Sequence, residues 1–163
     1  MLRRLLASAR SGVVKTFRCA DETFTMAHPD MDALLDEGLQ VAIHFLEKNG
    51  EFFPFGVTMA PDGTVVHTQG YTGDENPPSQ EVINLLLRGF QSGASSGNYK
   101  STALITDVRV SLDGETKTDA ISVTVEHHED RPVTCLLPYT KTDAGYQFGE
   151  LIAQRADSSV FTH

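Results

Sequence analysis

Between Lys100 and Tyr139 the chain is dense in β-branched residues and broken twice by turn-forming ones. That pattern restricts it to consecutive antiparallel strands. Leu104, Val108, Val110 and Leu112 share one parity and Asp107, Arg109 and Ser111 the other, with Ile105 as the exception. In the next run Ile121, Val123 and Val125 alternate with Ser122, Thr124, Glu126 and His128. Asp113-Gly114 between them tolerates the positive φ angles of a two-residue hairpin turn. With that pair at the centre, Leu112 faces Glu115, Thr106 faces Ile121 and Leu104 faces Val123. A second turn around Glu129-Asp130 leads into Pro132 to Tyr139, where both parities are apolar near Cys135, as expected of a strand inside a sheet covered on both sides. Pro132 and Pro138 are expected to mark its ends.

Two helices precede this region. His28-Pro29-Asp30 opens the first, with acids at the positive end of its dipole, and Asn49-Gly50 stops it. Met31, Leu34, Leu35, Ala42, Ile43 and Leu46 recur at helical spacing. Glu51 to Met59 and Thr64 to Tyr71 read as a hairpin around Pro61-Asp62-Gly63. Within it Pro54 implies an edge or a bulge. Ser79 is the expected cap of the second helix, whose stripe is Val82, Ile83, Leu86, Leu87 and Phe90. Gly89, Gly93 and Gly97 then loosen the chain; because they end a helix rather than begin one, they do not form a phosphate cradle. Tyr146 to Gln154 reads as extended.

The resulting fold class is α+β: an antiparallel sheet of about five strands, in the element order α-β-β-α-β-β-β, with two covering helices. At 163 residues the chain is long enough for one ordinary domain, expected over 26–163 after a basic extension over 1–25. Up to Thr25 there are five basic and two acidic residues, against eight and twenty in the remainder. An acidic body repels nucleic acid and anionic lipid. No apolar run is long enough to span a bilayer. The cytoplasm is therefore the expected compartment. Met1 to Phe17, basic and free of acids, with Ala7-Ser8-Ala9, offers organelle targeting as the alternative.

The densest group of ligand-type side chains is Glu126-His127-His128-Glu129-Asp130. On a strand Glu126 and His128 project together and His127 away, so a metal site would use Glu126, His128 and a third ligand from elsewhere, His67 or Asp107. Cys135 sits among apolar neighbours and reads as a buried inert thiol. Ser95 and Ser96 lack the strand-to-helix elbow of a serine nucleophile. Asp107 and Arg109, expected to share a face with Glu126, and the aromatic pair Phe53 and Phe55 are the candidate binding residues. The aromatic strand needs cover on both faces, which a second subunit would supply.

The element order from Asp30 to Tyr139 resembles the roadblock and profilin-like class of small domains, which implies helices covering a five-stranded antiparallel sheet. Phe53-Pro54-Phe55-Gly56, Asp107-Val108-Arg109-Val110 and Leu137-Pro138-Tyr139 also resemble phrases of small uncharacterised bacterial α+β proteins. The expectation for function is a non-enzymatic binding or assembly domain without a cofactor. It acts through a sheet edge or the aromatic strand, on a protein partner or on itself as a homodimer, and not on nucleic acid or membrane. The alternatives are a metal-binding protein or metal-assisted hydrolase using Glu126 and His128, and an acidic inhibitor or immunity-type protein.

Overall fold

The first helix begins where its sequence provides an N-cap. In the computed structural model, which describes residues 16–18, 23–25, 28–70, 73, 75 and 77–161 with side chains from residue 28 onward, α1 spans Pro29–Asn49. His28 Nδ1 accepts the Asp30 N–H at 3.2 Å, and Pro29 sits at the first helical turn. At the other end Gly50 takes φ 80° and donates its N–H to the Leu46 carbonyl at 2.9 Å. That left-handed position is why glycine closes the helix.

Nine strands form one sheet among the described residues. They are β1 Thr16–Arg18, β2 Thr23–Thr25, β3 Phe55–Met59, β4 Val65–Gln69, β5 Ser101–Ser111, β6 Lys117–His127, β7 Asp130–Thr142, β8 Gly145–Phe148 and β9 Ile152–Arg155. The order is β2-β1-β9-β7-β6-β5-β3-β4, with β8 on β7. All pairings are antiparallel except β1 with β9. The α+β class and the element order stand as read from the sequence, and the sheet is larger than five strands. The tail that reads as extended supplies β8 and β9, and the residues assigned to a basic extension contribute β1 and β2. The targeting features Met1 to Lys15 and Ala7-Ser8-Ala9, and Cys19, lie outside the described residues. No described helix is long and apolar enough to cross a membrane.

The register of the central hairpin differs by one residue from the expected one. Ile105 lies opposite Val123 and Asp107 opposite Ile121. Asp113 is not a turn residue with positive φ; its Oδ1 accepts the N–H groups of Glu115 at 2.9 Å and Thr116 at 2.7 Å, closing a longer loop in which Gly114 alone is left-handed. Side-chain capping by aspartate thus displaced the two-residue turn. Ala103 and Ile105 therefore enter the main core with Ile121, Val123 and Val125, beneath Leu34, Leu35 and Ile43 of α1. Leu104 turns to the opposite face, against a second cluster.

That second cluster belongs to α2, Ser79–Ser95. Ser79 is its first residue rather than its cap, and the helix continues through Gly89 and Gly93. Val82, Leu86 and Phe90 form its buried stripe. Phe90 lies directly on Gly56 of β3, where an added Cβ would stand 2.3 Å from the ring. All five residues of β3 are buried, so the double cover expected of the aromatic strand comes from this chain's own two helices. Pro54 lies just before β3. Pro132 and Pro138 lie within β7 instead of at its ends, and Pro132 occupies a bulge where it and Arg131 oppose Glu126. A residue without an N–H is tolerated there because the ladder is already broken.

Candidate functional site

The turn between β6 and β7 has His128-Glu129 at its centre, one residue earlier than expected, since His127 pairs with Asp130. His127 is thereby the last inward residue of the α1 face, and it is only 1% exposed. Its Nδ1 accepts the Glu129 N–H at 3.0 Å, which places the ring proton on Nε2, and Nε2–H donates to Asp30 Oδ2 at 3.0 Å. Lys100 Nζ lies 3.2 Å from the same oxygen. The His28 ring lies against His127 at a centroid distance of 3.7 Å, and the His128 ring stacks on it at 4.8 Å.

Charge in this cluster is already balanced. Burial favours the neutral acid at Asp30, but hydrogen bonds from His127 and Lys100 outweigh it and hold the carboxyl below the usual aspartate range. Burial pushes the His127 imidazole down; the Asp30 hydrogen bond opposes this, and the charges of His28 and His128 add to the depression. Both nitrogens of His127 are committed. Ligation through Nε2 would move the proton to Nδ1, against the Glu129 N–H, so the ring serves neither as a metal ligand nor as a general base without rebuilding the turn. The cluster locks the start of α1 to the sheet.

Because His127 is protonated less readily in the folded chain than in the unfolded one, the unfolded state binds more protons below the ordinary histidine value of 6.5. Its contribution to stability is present above that value and is lost as pH falls through the depressed folded value. The melting temperature should fall between pH 7 and pH 5, measured by circular dichroism. His127→Gln, which keeps a donor for Asp30 and does not titrate, should flatten the fall. An equally steep decline in the variant would assign it to other groups.

The residues expected to bind metal do not come together. Among the described residues the His, Cys, Asp and Glu groups with ligand atoms within 4.8 Å of one another are His28-Asp30-His127 and His127-His128-Glu129. Glu126 is absent from both, because it faces the α2 side, where its Oε1 accepts the Ser159 N–H at 2.9 Å and the Val160 N–H at 3.1 Å. His67 pairs with Glu37 of α1 at 2.6 Å. His128 sits in the turn, beyond the strand position that would have aligned it with Glu126.

The candidate binding residues are also separated. Asp107 and Arg109 occupy the exposed end of the α1 face of β5, opposite to Glu126, which pairs across from Thr102. Tyr139 donates its hydroxyl to Asp107 at 2.7 Å. Desolvation raises the Asp107 carboxyl, this hydrogen bond lowers it in part, and the Asp119 charge raises it further. Burial and Asp107 together push the Tyr139 hydroxyl up, so this pair is a neutral donor on a carboxylate. Phe53 is 43% exposed, whereas Phe55 is 4% exposed and belongs to the core. Phe53 lines a cleft at the start of β3, and the open edge of the sheet at β4 adjoins it through Gln69.

The edge or bulge that Pro54 implies for the first hairpin strand is not found: β3 lies between β5 and β4 and pairs regularly with both. Val65, Val66, His67, Thr68 and Gln69 have the composition of an internal strand, and only the sheet order makes β4 the last one. Without lysine or proline they lack the residues that usually mark an edge, so no local signal identified it. Compared with protein-family models, with curated proteins and with solved structures, the chain matches none.

Proposed function

We propose that this chain is an assembly domain that pairs with a second copy of itself through the free edge of β4. The observation that carries the reading is that, among the described residues, β4 ends the sheet with no strand paired to its outer side. Exposed sheet edges in soluble proteins are protected by lysine, proline, a bulge or a covering segment. Val65–Gln69 carries none of the first three, and Val65 and Val66 are 40% and 51% exposed.

The ladder also supplies a self-complementary register. Ala60 donates to the Thr64 carbonyl at 2.9 Å, so the bonded pairs alternate through Thr58–Val66 and Gly56–Thr68. Val65, His67 and Gln69 then turn their N–H and C=O groups to the open side. Two antiparallel copies centred on His67 bring Val65 of one against Gln69 of the other, each pair exchanging two backbone bonds. Val66 of each copy packs beside Thr68 of the other on the α2 face. Saturated His127 supports binding over catalysis.

The test is light scattering after size-exclusion chromatography over a wide concentration range. His67→Pro removes an outward N–H that β3 does not use, and Val66→Lys installs a natural edge guard. Each should weaken self-association at least tenfold, about 1.4 kcal/mol, with the circular dichroism spectrum retained. A wild-type chain that is monomeric up to about 1 mM, where an association free energy of about −4 kcal/mol registers, overturns the reading.

A further inference from the structure

A cleft of about 520 Å³ opens between the end of α1, the approach to β3, the end of β4 and the start of α2. That is within the usual size of a ligand site, about 300–1,000 Å³. Its floor is aromatic and rigid. Phe52 and Phe45 meet Phe55 edge-on, at centroid distances of 5.8 and 6.1 Å and interplanar angles of 72° and 82°. Phe55 is anchored in the main core, so these rings hold the cavity open rather than collapsing into it. Phe53 stands at the mouth.

Among the described residues, the charged groups of the lining are Glu51 and Glu75, with Asn49 and Gln69 as further polar groups and no lysine, arginine or histidine. An apolar floor under two carboxylates selects against anions through desolvation and repulsion. It favours a ligand with a large apolar group beside a positive charge. The exposed Phe53 face adds attraction for a guanidinium or ammonium.

We infer that this cleft binds an extended segment of a partner protein in which a large apolar side chain adjoins an arginine or lysine. The apolar side chain fills the aromatic floor, and the cation lies at the mouth between Phe53, Glu51 and Glu75. The chain's net charge of −9 speeds the approach of such a basic segment and makes its capture salt-dependent. This site touches the β4 pairing only at Gln69, which lines the cleft while its outward backbone groups serve the pairing, and it uses nothing of Val65 or His67.

The test is titration of the full chain with blocked dipeptides, acetyl-Phe-Arg-amide, acetyl-Phe-Gln-amide and acetyl-Phe-Glu-amide, followed by amide chemical shifts. The expected result is saturable shifts at Phe53, Gln69, Gly70 and Val82, with affinity falling in the order Arg, Gln, Glu. Phe53→Ala, at an exposed position that leaves the core intact, should weaken the arginine peptide about tenfold. Glu51→Gln combined with Glu75→Gln should bring the arginine peptide down to the glutamine peptide and leave the latter unchanged. His67→Pro should bind normally, so that loss of the dimer and loss of this site are told apart. Absence of saturation, shifts centred elsewhere, or equal affinity for the three peptides would overturn the inference.

Discussion

Replacing Phe90 by alanine is expected to lower the unfolding free energy by about 3–5 kcal/mol, the range for emptying a buried aromatic site. The ring is 2% exposed and is the largest member of the small cluster that fixes α2 to the sheet. Its seat is Gly56, where any side chain collides with the ring. The two positions should therefore be coupled. Gly56→Ala alone should cost about 1–3 kcal/mol through overpacking, yet in the Phe90→Ala background its methyl group enters the space left by the ring. The double variant should lose less than the sum of the single losses, read by urea unfolding of all four proteins. Additive losses would mean that α2 gains its hold elsewhere.

A second large loss is expected at Glu126→Ala, about 3 kcal/mol, from two charge-assisted hydrogen bonds at about 1.5 kcal/mol each. Glu126 is 2% exposed, and one of its oxygens accepts both the Ser159 and the Val160 N–H groups. The same tail segment is held by Gln91 of α2, which donates to the Ser159 carbonyl at 2.8 Å, and by the burial of Phe161. This carboxylate thus clips the chain after β9 across the α2 face. Glu126→Gln, which keeps an acceptor oxygen of similar reach, should recover about half of the loss. Hydrogen exchange supplies the local readout: the Ser159 and Val160 amides should lose protection in Glu126→Ala before the β5–β6 ladder does. Unchanged protection at those two amides would refute the clip.

The two helices and the three central strands were legible because each rests on local chemistry. His28, Pro29 and Gly50 bound α1 through dihedral preferences and backbone bonds that span a turn, and the Ile121-Val123-Val125 alternation names its face without reference to anything distant. Register was less legible. Asp113-Gly114 satisfies a two-residue turn on dihedral grounds, and the competing choice, an aspartate side chain capping two N–H groups of a longer loop, differs by a few hydrogen bonds. What tipped it is the burial of Ile105 under Gly38 and α1, which a one-residue slip would reverse.

The candidate sites were least legible. Glu126 and His127 are adjacent in the chain, yet each is claimed by a partner far along it: Glu126 by Ser159 and Val160, His127 by Asp30. Period-2 geometry correctly puts them on opposite faces but does not say which face meets a helix start and which meets a returning tail. The sequence alone determined the element types, the two ends of α1 and the inward identity of the β6 aliphatics, because these follow from bonds and dihedrals within a few residues. Only the tertiary structure decided that β4 is the last strand of the described sheet, that α2 covers β3, and that the ionisable residues of the β6–β7 turn are engaged in holding the fold together. Those outcomes depend on which distant segments meet, and the free energy that selects among such meetings is spread over the whole core rather than written at any one position.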